Sequence, residues 1–218
     1  MKKVAILISG RGSNMVSLLN AMKEKDYPAK CVLVISNNPE ALGIKHAIDY
    51  GVKVEVINHR GSKTREEHDK KMINALKKEG AEIVCLAGYM RLLSSIFVNT
   101  FQNSILNIHP ALLPSFPGLN VQKKAIEAGV RLTGCTVHIV DELCDHGPIL
   151  LQAVVPIFPD DTEEKLSKRI LRFEHKTYPL ALKLFAEGKF ELKEGRAHLK
   201  VNEREYKEII KNLIWNGD

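Results

Sequence analysis

The run Asn107-Ile108-His109-Pro110 places a carboxamide and an imidazole two residues apart at the end of a short apolar segment. Side chains alternate faces along a strand, so Asn107 and His109 project together while Ile108 turns to the core. Pro110 stops the strand and fixes the exit of the chain. A lone histidine at a strand end is more often structural, and the amide on the same face brings the catalytic reading level with that one: a cationic imidazole beside a carboxamide can meet negative charge that develops on a carbonyl oxygen. Acidic groups are at hand in Asp141-Glu142-Leu143-Cys144-Asp145-His146-Gly147-Pro148. If the fold brings Asp145 to His109, the carboxylate raises the imidazole's pKa and holds it cationic. Taken alone, this stretch is a solvated acidic turn bent by Gly147-Pro148.

A second candidate is Ser9-Gly10-Arg11-Gly12-Ser13-Asn14, between a first strand and a first helix. Backbone N–H groups at a helix N-terminus point outward there, and glycine lets an anion approach. Ser13 and Asn14 add donors and are expected to cap the helix. The dinucleotide fingerprint fails, because Met15 stands where its third glycine belongs and Ser36-Asn37-Asn38 replaces the acid expected about 20 residues on. No Gly-Lys-Ser/Thr follows, so the loop is not a nucleotide P-loop either. What remains is a site for one phosphate, or a tight capped turn with no ligand.

The elements that must hold these groups alternate along the first half. Val4–Ile8, Cys31–Ile35, Val52–Ile57, Ile83–Ala87 and Ser104–Ile108 are strand-like; helical spacing joins Met15, Leu18, Leu19 and Met22, spans Ala41–Tyr50, and recurs at Met72, Ile73 and Leu76 before Gly80. Repeated strand–helix–strand units make an open, mostly parallel Rossmann-like α/β sheet covered on both faces. After Pro110, Pro114 and Pro117 the pattern changes. A helix is expected over Val121–Ala128, then Leu132–Val140 and Ile149–Val155 as an antiparallel pair. A long helix over Thr162–Ala186 follows, which Pro179 should kink or divide. The tail beyond Gly188 suggests one edge strand and a helix over Glu203–Leu213. One domain is expected, with residues 1–190 catalytic and 191–218 a tail of the same domain.

Composition bounds the rest. The chain has 218 residues, 44% hydrophobic and 27% charged, and carries a net charge of +6; no apolar run approaches the ~18 residues of a membrane span. Basic residues form no run, so nucleic acid is not required as a partner. The apolar segment after Lys2-Lys3 is five residues, too short for a signal peptide's roughly 7–15. Cys31, Cys85, Cys135 and Cys144 show no metal or redox spacing and are expected as reduced core thiols, in the cytoplasm. No metal site is expected.

In order along the chain, Ile8–Asn14, Cys85-Leu86-Ala87-Gly88-Tyr89-Met90-Arg91, Leu106–Pro114 and Asp141–Gly147 resemble the folate-dependent glycinamide ribonucleotide transformylases, or phosphoribosylglycinamide formyltransferases. The resemblance covers about residues 3–190 and implies the formyltransferase fold. It implies formyl transfer from 10-formyltetrahydrofolate, as cosubstrate, to the amine of glycinamide ribonucleotide in purine synthesis. By the same resemblance, Asn107, His109 and Asp145 are catalytic. Gly12, Ser13 and Asn14 hold the substrate phosphate, and Glu174 its glycinamide or ribose end. Arg65 meets the benzoyl-glutamate of the folate. Met90, Arg91, Leu92 and Leu93, with Asn107, line its pterin pocket, which Asp141, Glu142, Leu143, Cys144 and Asp145 cover. His146 replaces the small residue usual in the D-x-G turn and is expected to face solvent. His138, on a strand nearby, is expected as a satisfied core histidine.

Two other functions share parts of this pattern. A formyltetrahydrofolate hydrolase needs Asn107, His109 and Asp145 but no phosphate loop, and a non-catalytic phosphoribosyl- or nucleotide-binding module needs only Gly12–Asn14. The proline- and glycine-broken segment Leu112–Gly129 is expected to close over ligands. Monomer and homodimer stay equally open.

Overall fold

A computed structural model describes residues 1–217. The chain divides into two compact units, residues 1–107 with 140–142, and residues 108–139 with 143 onward.

The first unit is built on β1 (Lys2–Ile8), β2 (Ala29–Ser36), β3 (Val54–Val56), β4 (Ile83–Leu86) and the start of β5 (Ile105–His109). β1 pairs in parallel with β2 and β4, β2 with β3, and β4 with β5. Val4 to Ile8 are all buried, as a strand with both faces covered must be. The helices are α1 (Ser13–Ala21), α2 (Gly43–Asp49), α3 (Arg65–Glu79) and α4 (Ser95–Thr100). Thr64 caps α3 by accepting from Glu67 N–H, Glu66 and Glu67 favour its positive end, and Gly80 closes it in the left-handed conformation. Met72, Ile73 and Leu76 of α3 pack with Leu7, Leu33, Ile35 and Phe97 in the core.

The second unit contains α5 (Val121–Glu127), the antiparallel pair β6 (Leu132–Ile139) and β7 (Ile149–Pro156), and α6 (Glu163–Ala186). Over all seven strands the order is β3-β2-β1-β4-β5-β6-β7, mostly parallel with antiparallel strands in the C-terminal half. A Cβ on Gly134 would stand 1.7 Å from the carbonyl oxygen of Ala153, so only glycine lets β6 and β7 close.

Three expectations need correction. Pro179 lies inside α6 and does not divide it. Burial of Phe173, Thr177, Tyr178, Ala181 and Leu182 on both sides of the proline offsets a backbone penalty of roughly 3 kcal/mol. The tail forms a hairpin rather than one strand, β8 (Phe190–Lys193) with β9 (Arg196–Leu199), before α7 (Glu203–Asn212); Glu194 and Gly195 take positive φ at its turn. The four cysteines form no disulfide, but only Cys85 and Cys135 are buried, while Cys31 is half-buried and Cys144 exposed. Among the described residues no helix is long and apolar enough to cross a membrane.

Candidate active site

In the first unit, residues 9–12 carry the chain from β1 into α1. Gly12 is the N-cap, with φ 75° and ψ 22°, and no side chain caps the helix. Ser13 and Asn14, expected as caps, are instead the first two helical residues. The left-handed turn is made one residue earlier, at the position where glycine costs least. Amides at the start of an α-helix point outward as a rule, and Gly10 has open space where a side chain would stand. An anion there meets donors, the helix dipole and room.

The loop is braced from behind. Gly43 N–H donates to Gly10 O at 3.0 Å, and a Cβ on Gly12 would lie 2.9 Å from the Gly43 Cα, so α2 meets the loop backbone to backbone. Asn38 Nδ2 donates to Ser9 O at 3.3 Å. Asn38 thus holds the loop from the end of β2, where the dinucleotide fold would carry its acid.

The other candidates of this unit lie apart from the loop in sequence. Met90 and Leu92, after β4, are 66% and 61% exposed. Arg91 and Leu93 are half-buried. Arg65 opens α3, exposed, its Nε 3.9 Å from a Glu66 oxygen. Asp141 is half-buried, and the Glu142 carboxylate accepts from Asn99 Nδ2 at 3.2 Å. Asn107 is half-buried on β5.

The second unit gathers His109, Asp145 and His138. His109, at the end of β5, is buried, and its Nδ1 stands 3.4 Å from Asp145 Oδ2. Its Nε2 lies 2.8 Å from Phe116 O. A carbonyl only accepts, so Nε2 carries a hydrogen. Asp145 has φ 51°, a strained setting for a residue with a Cβ, and its Oδ2 accepts Gly118 N–H at 2.9 Å. His138 Nε2 stands at an ion-pair distance, 3.7 Å, from Asp145 Oδ1, with Nδ1 at 3.0 Å from Ile139 O.

Burial pushes the Asp145 carboxyl up, but His138, the Gly118 N–H and the charge of His109 outweigh it and hold the group down at about 2. His138 is therefore more than a core histidine: it is the second imidazole on this carboxylate. Its place on β6 gives no hint of that, since alternation shows which face a residue takes but not which turn crosses it. Leu143 is 61% exposed. Cys144, also exposed, reaches Asp145 Oδ2 with its thiol at 3.5 Å, and burial followed by the Asp145 charge pushes that thiol up. His146 is exposed. Glu174 is buried on α6, and its charge adds to the burial that pushes the Cys135 thiol up to about 12. Among the described residues, no group of three or more His, Cys, Asp or Glu is placed to hold a metal.

The fold is a mostly parallel α/β sheet with a carboxylate-paired imidazole at the end of β5. Residues 2–182 match the formyl transferase family. The phosphoribosylglycinamide formyltransferase of Haemophilus influenzae is 42% identical over 199 residues, covering 91% of this chain and 94% of that one. The crystal structure of glycinamide ribonucleotide transformylase 1 from Symbiobacterium toebii superposes with a TM-score of 0.90 at 42% identity, over 91% of this chain and 94% of that one. The trifunctional purine biosynthetic protein adenosine-3 of Drosophila melanogaster is 47% identical over 189 residues; these are 86% of this chain but 14% of that much longer protein. The chain belongs to the formyl transferase family, among the phosphoribosylglycinamide formyltransferases.

Proposed function

We propose that this protein transfers the formyl group of 10-formyltetrahydrofolate to the primary amine of glycinamide ribonucleotide, a step of purine synthesis. The observation that carries the reading is the His109–Asp145 pair, 3.4 Å apart, with Asn107 two residues before His109 on β5. The neutral amine attacks the formyl carbon, and the charge that grows on the formyl oxygen is met by the Asn107 amide and the His109 imidazole. The bond from that carbon to the folate nitrogen then breaks; the folate nitrogen gains a proton and the attacking amine loses one. Asp145 keeps a negative charge beside His109 throughout. No covalent enzyme intermediate is involved.

Gly12, Ser13 and Asn14 hold the ribonucleotide phosphate, and Glu174 its glycinamide end. Met90, Arg91, Leu92, Leu93 and Asn107 receive the pterin, Asp141 to Asp145 cover it, and Arg65 meets the glutamate tail. The two ligands are anionic small molecules, which suits a net charge of +6 with no nucleic-acid or membrane partner. The scattered cysteines, with no paired spacing, fit a cytoplasmic location.

Incubation with 10-formyltetrahydrofolate, with and without glycinamide ribonucleotide, tests the reading through tetrahydrofolate release. Release that depends on ribonucleotide is expected. Release without it makes the protein a hydrolase, and no release makes it a binding module. In the same assay Asn107→Ala and His109→Ala should each lower turnover by about 10²–10³ while circular dichroism shows the fold intact. Near wild-type turnover in either variant would sink the catalytic assignment.

A further inference from the structure

The segment from Met90 to Leu93 belongs to no helix or strand; Leu93 packs against the core, while Met90 and Leu92 lie open to solvent, so burial anchors only its far end. Two side chains outside the proposed chemistry hold its ends. At the start, Met90 N–H donates to Ser9 Oγ at 2.9 Å. Ser9 is itself steadied, because its carbonyl accepts from Asn38 Nδ2. Just past the other end, Ser94 N–H donates to Asp69 Oδ2 at 2.6 Å.

Asp69 lies on α3 and is 1% exposed, a costly place for a carboxylate unless its partners need it there. Its other oxygen stands 3.4 Å from His68 Nδ1. The opposite nitrogen of that ring, Nε2, donates to Ile57 O at 2.9 Å. Just before the first clamp Tyr89 is buried, its hydroxyl donating to Met72 Sδ at 3.5 Å. The main chain of 90–94 is thus located by a hydroxyl from the glycine loop and a carboxylate from α3.

We propose that Ser9 and Asp69 are positioning residues, which fix the main-chain groups of Met90–Leu93 that meet the formyl donor. This rests on the assignment of that segment to the folate. Ser9 lies three residues before Gly12, so one side chain ties the donor segment to the loop assigned to the ribonucleotide phosphate.

The test uses Ser9→Ala, Ser9→Thr, which keeps the hydroxyl, and Asp69→Asn, which keeps an acceptor without the charge. Two readouts are needed: steady-state kinetics in both substrates, and hydrogen exchange at the Met90 amide of the ligand-free protein. One net hydrogen bond corresponds to about 3–10-fold. Ser9→Ala should raise KM for 10-formyltetrahydrofolate by about that factor, with kcat at saturating donor within about twofold. KM for glycinamide ribonucleotide should move less, Met90 exchange should quicken, and Ser9→Thr should restore both. Asp69→Asn should move the donor KM in the same direction; if it fails to fold, the Ser9 pair decides alone.

A purely structural role would lower the melting temperature without separating KM from kcat. An unchanged donor KM in Ser9→Ala overturns the inference, whether or not Met90 exchange quickens. A wild-type protein that releases no tetrahydrofolate under any condition overturns the functional reading instead, and this inference with it.

Discussion

Asp145 concentrates what the site's chemistry asks of a single residue. It sits in a left-handed backbone conformation and receives a backbone N–H, a thiol and two imidazoles. The carboxyl is held down at about 2, from an ordinary 3.8. A depressed carboxylate contributes stability that is fully present above its unfolded pKa and is lost as pH falls through the folded one. For Asp145 the window runs from about pH 4 down to about pH 2, and the contribution is at most about 2 kcal/mol. Asp145→Asn should therefore be less stable than wild type at pH 5 in urea titrations, with the gap narrowing as pH falls through that window. A gap that stays constant from pH 5 to pH 2 would show that Asp145 carries no such charge-dependent contacts. Because the group is ionised throughout ordinary assay conditions, an acid limb in the rate profile belongs to some other group.

At the scale of elements, the segment that follows β5 touches the proposed catalytic pair through its backbone. Phe116 O accepts from His109 Nε2, and Gly118 N–H donates to Asp145; Phe116 has φ 55°. With Nδ1 turned to Asp145, Nε2 is the nitrogen left to serve a formyl oxygen, and it is engaged with the loop. On the proposed role of His109, the formyl oxygen would take the place of Phe116 O, which predicts that residues 112–120 shift when ligands bind. Limited proteolysis should cut this segment at different rates with and without both ligands bound; equal rates would count against the exchange.

Elements also show where reading the residues succeeds. The strands of the first unit were legible because strands buried on both faces are short, unbroken apolar runs. Asn107 and His109 were legible because strand alternation is local. The brace of Gly43 on Gly10, the turn of Asp145 toward His138 and the clamp of Asp69 on Ser94 join residues 25 or more apart for two of the three, and no local periodicity encodes them. Pro179 misled for the opposite reason: the local rule is sound, and tertiary burial along α6 outweighed it.

At the scale of the whole chain, the residues beyond 182, where the family match ends, cover a sheet edge. β7 is the last strand of its sheet, and an open edge invites pairing with another chain. The tail occupies that edge: Val154 N–H donates to Leu213 O at 2.8 Å and Trp215 N–H to Val154 O at 3.0 Å. The Trp215 ring then packs 6.1 Å from Phe173 and 6.5 Å from Phe158, over which Arg169, ion-paired with Asp161, also lies. Two backbone hydrogen bonds and a packed indole amount to about 2–4 kcal/mol. Truncation after Lys200, which also removes the buried Ile209 and Leu213, should lower stability by more than that amount in urea titrations and, by baring β7, increase self-association with concentration in sedimentation velocity relative to the full chain. Trp215→Ala should lose stability without the added association, because the main-chain pairing survives. A truncated protein with unchanged stability and unchanged sedimentation would mean that the tail neither braces nor shields this edge.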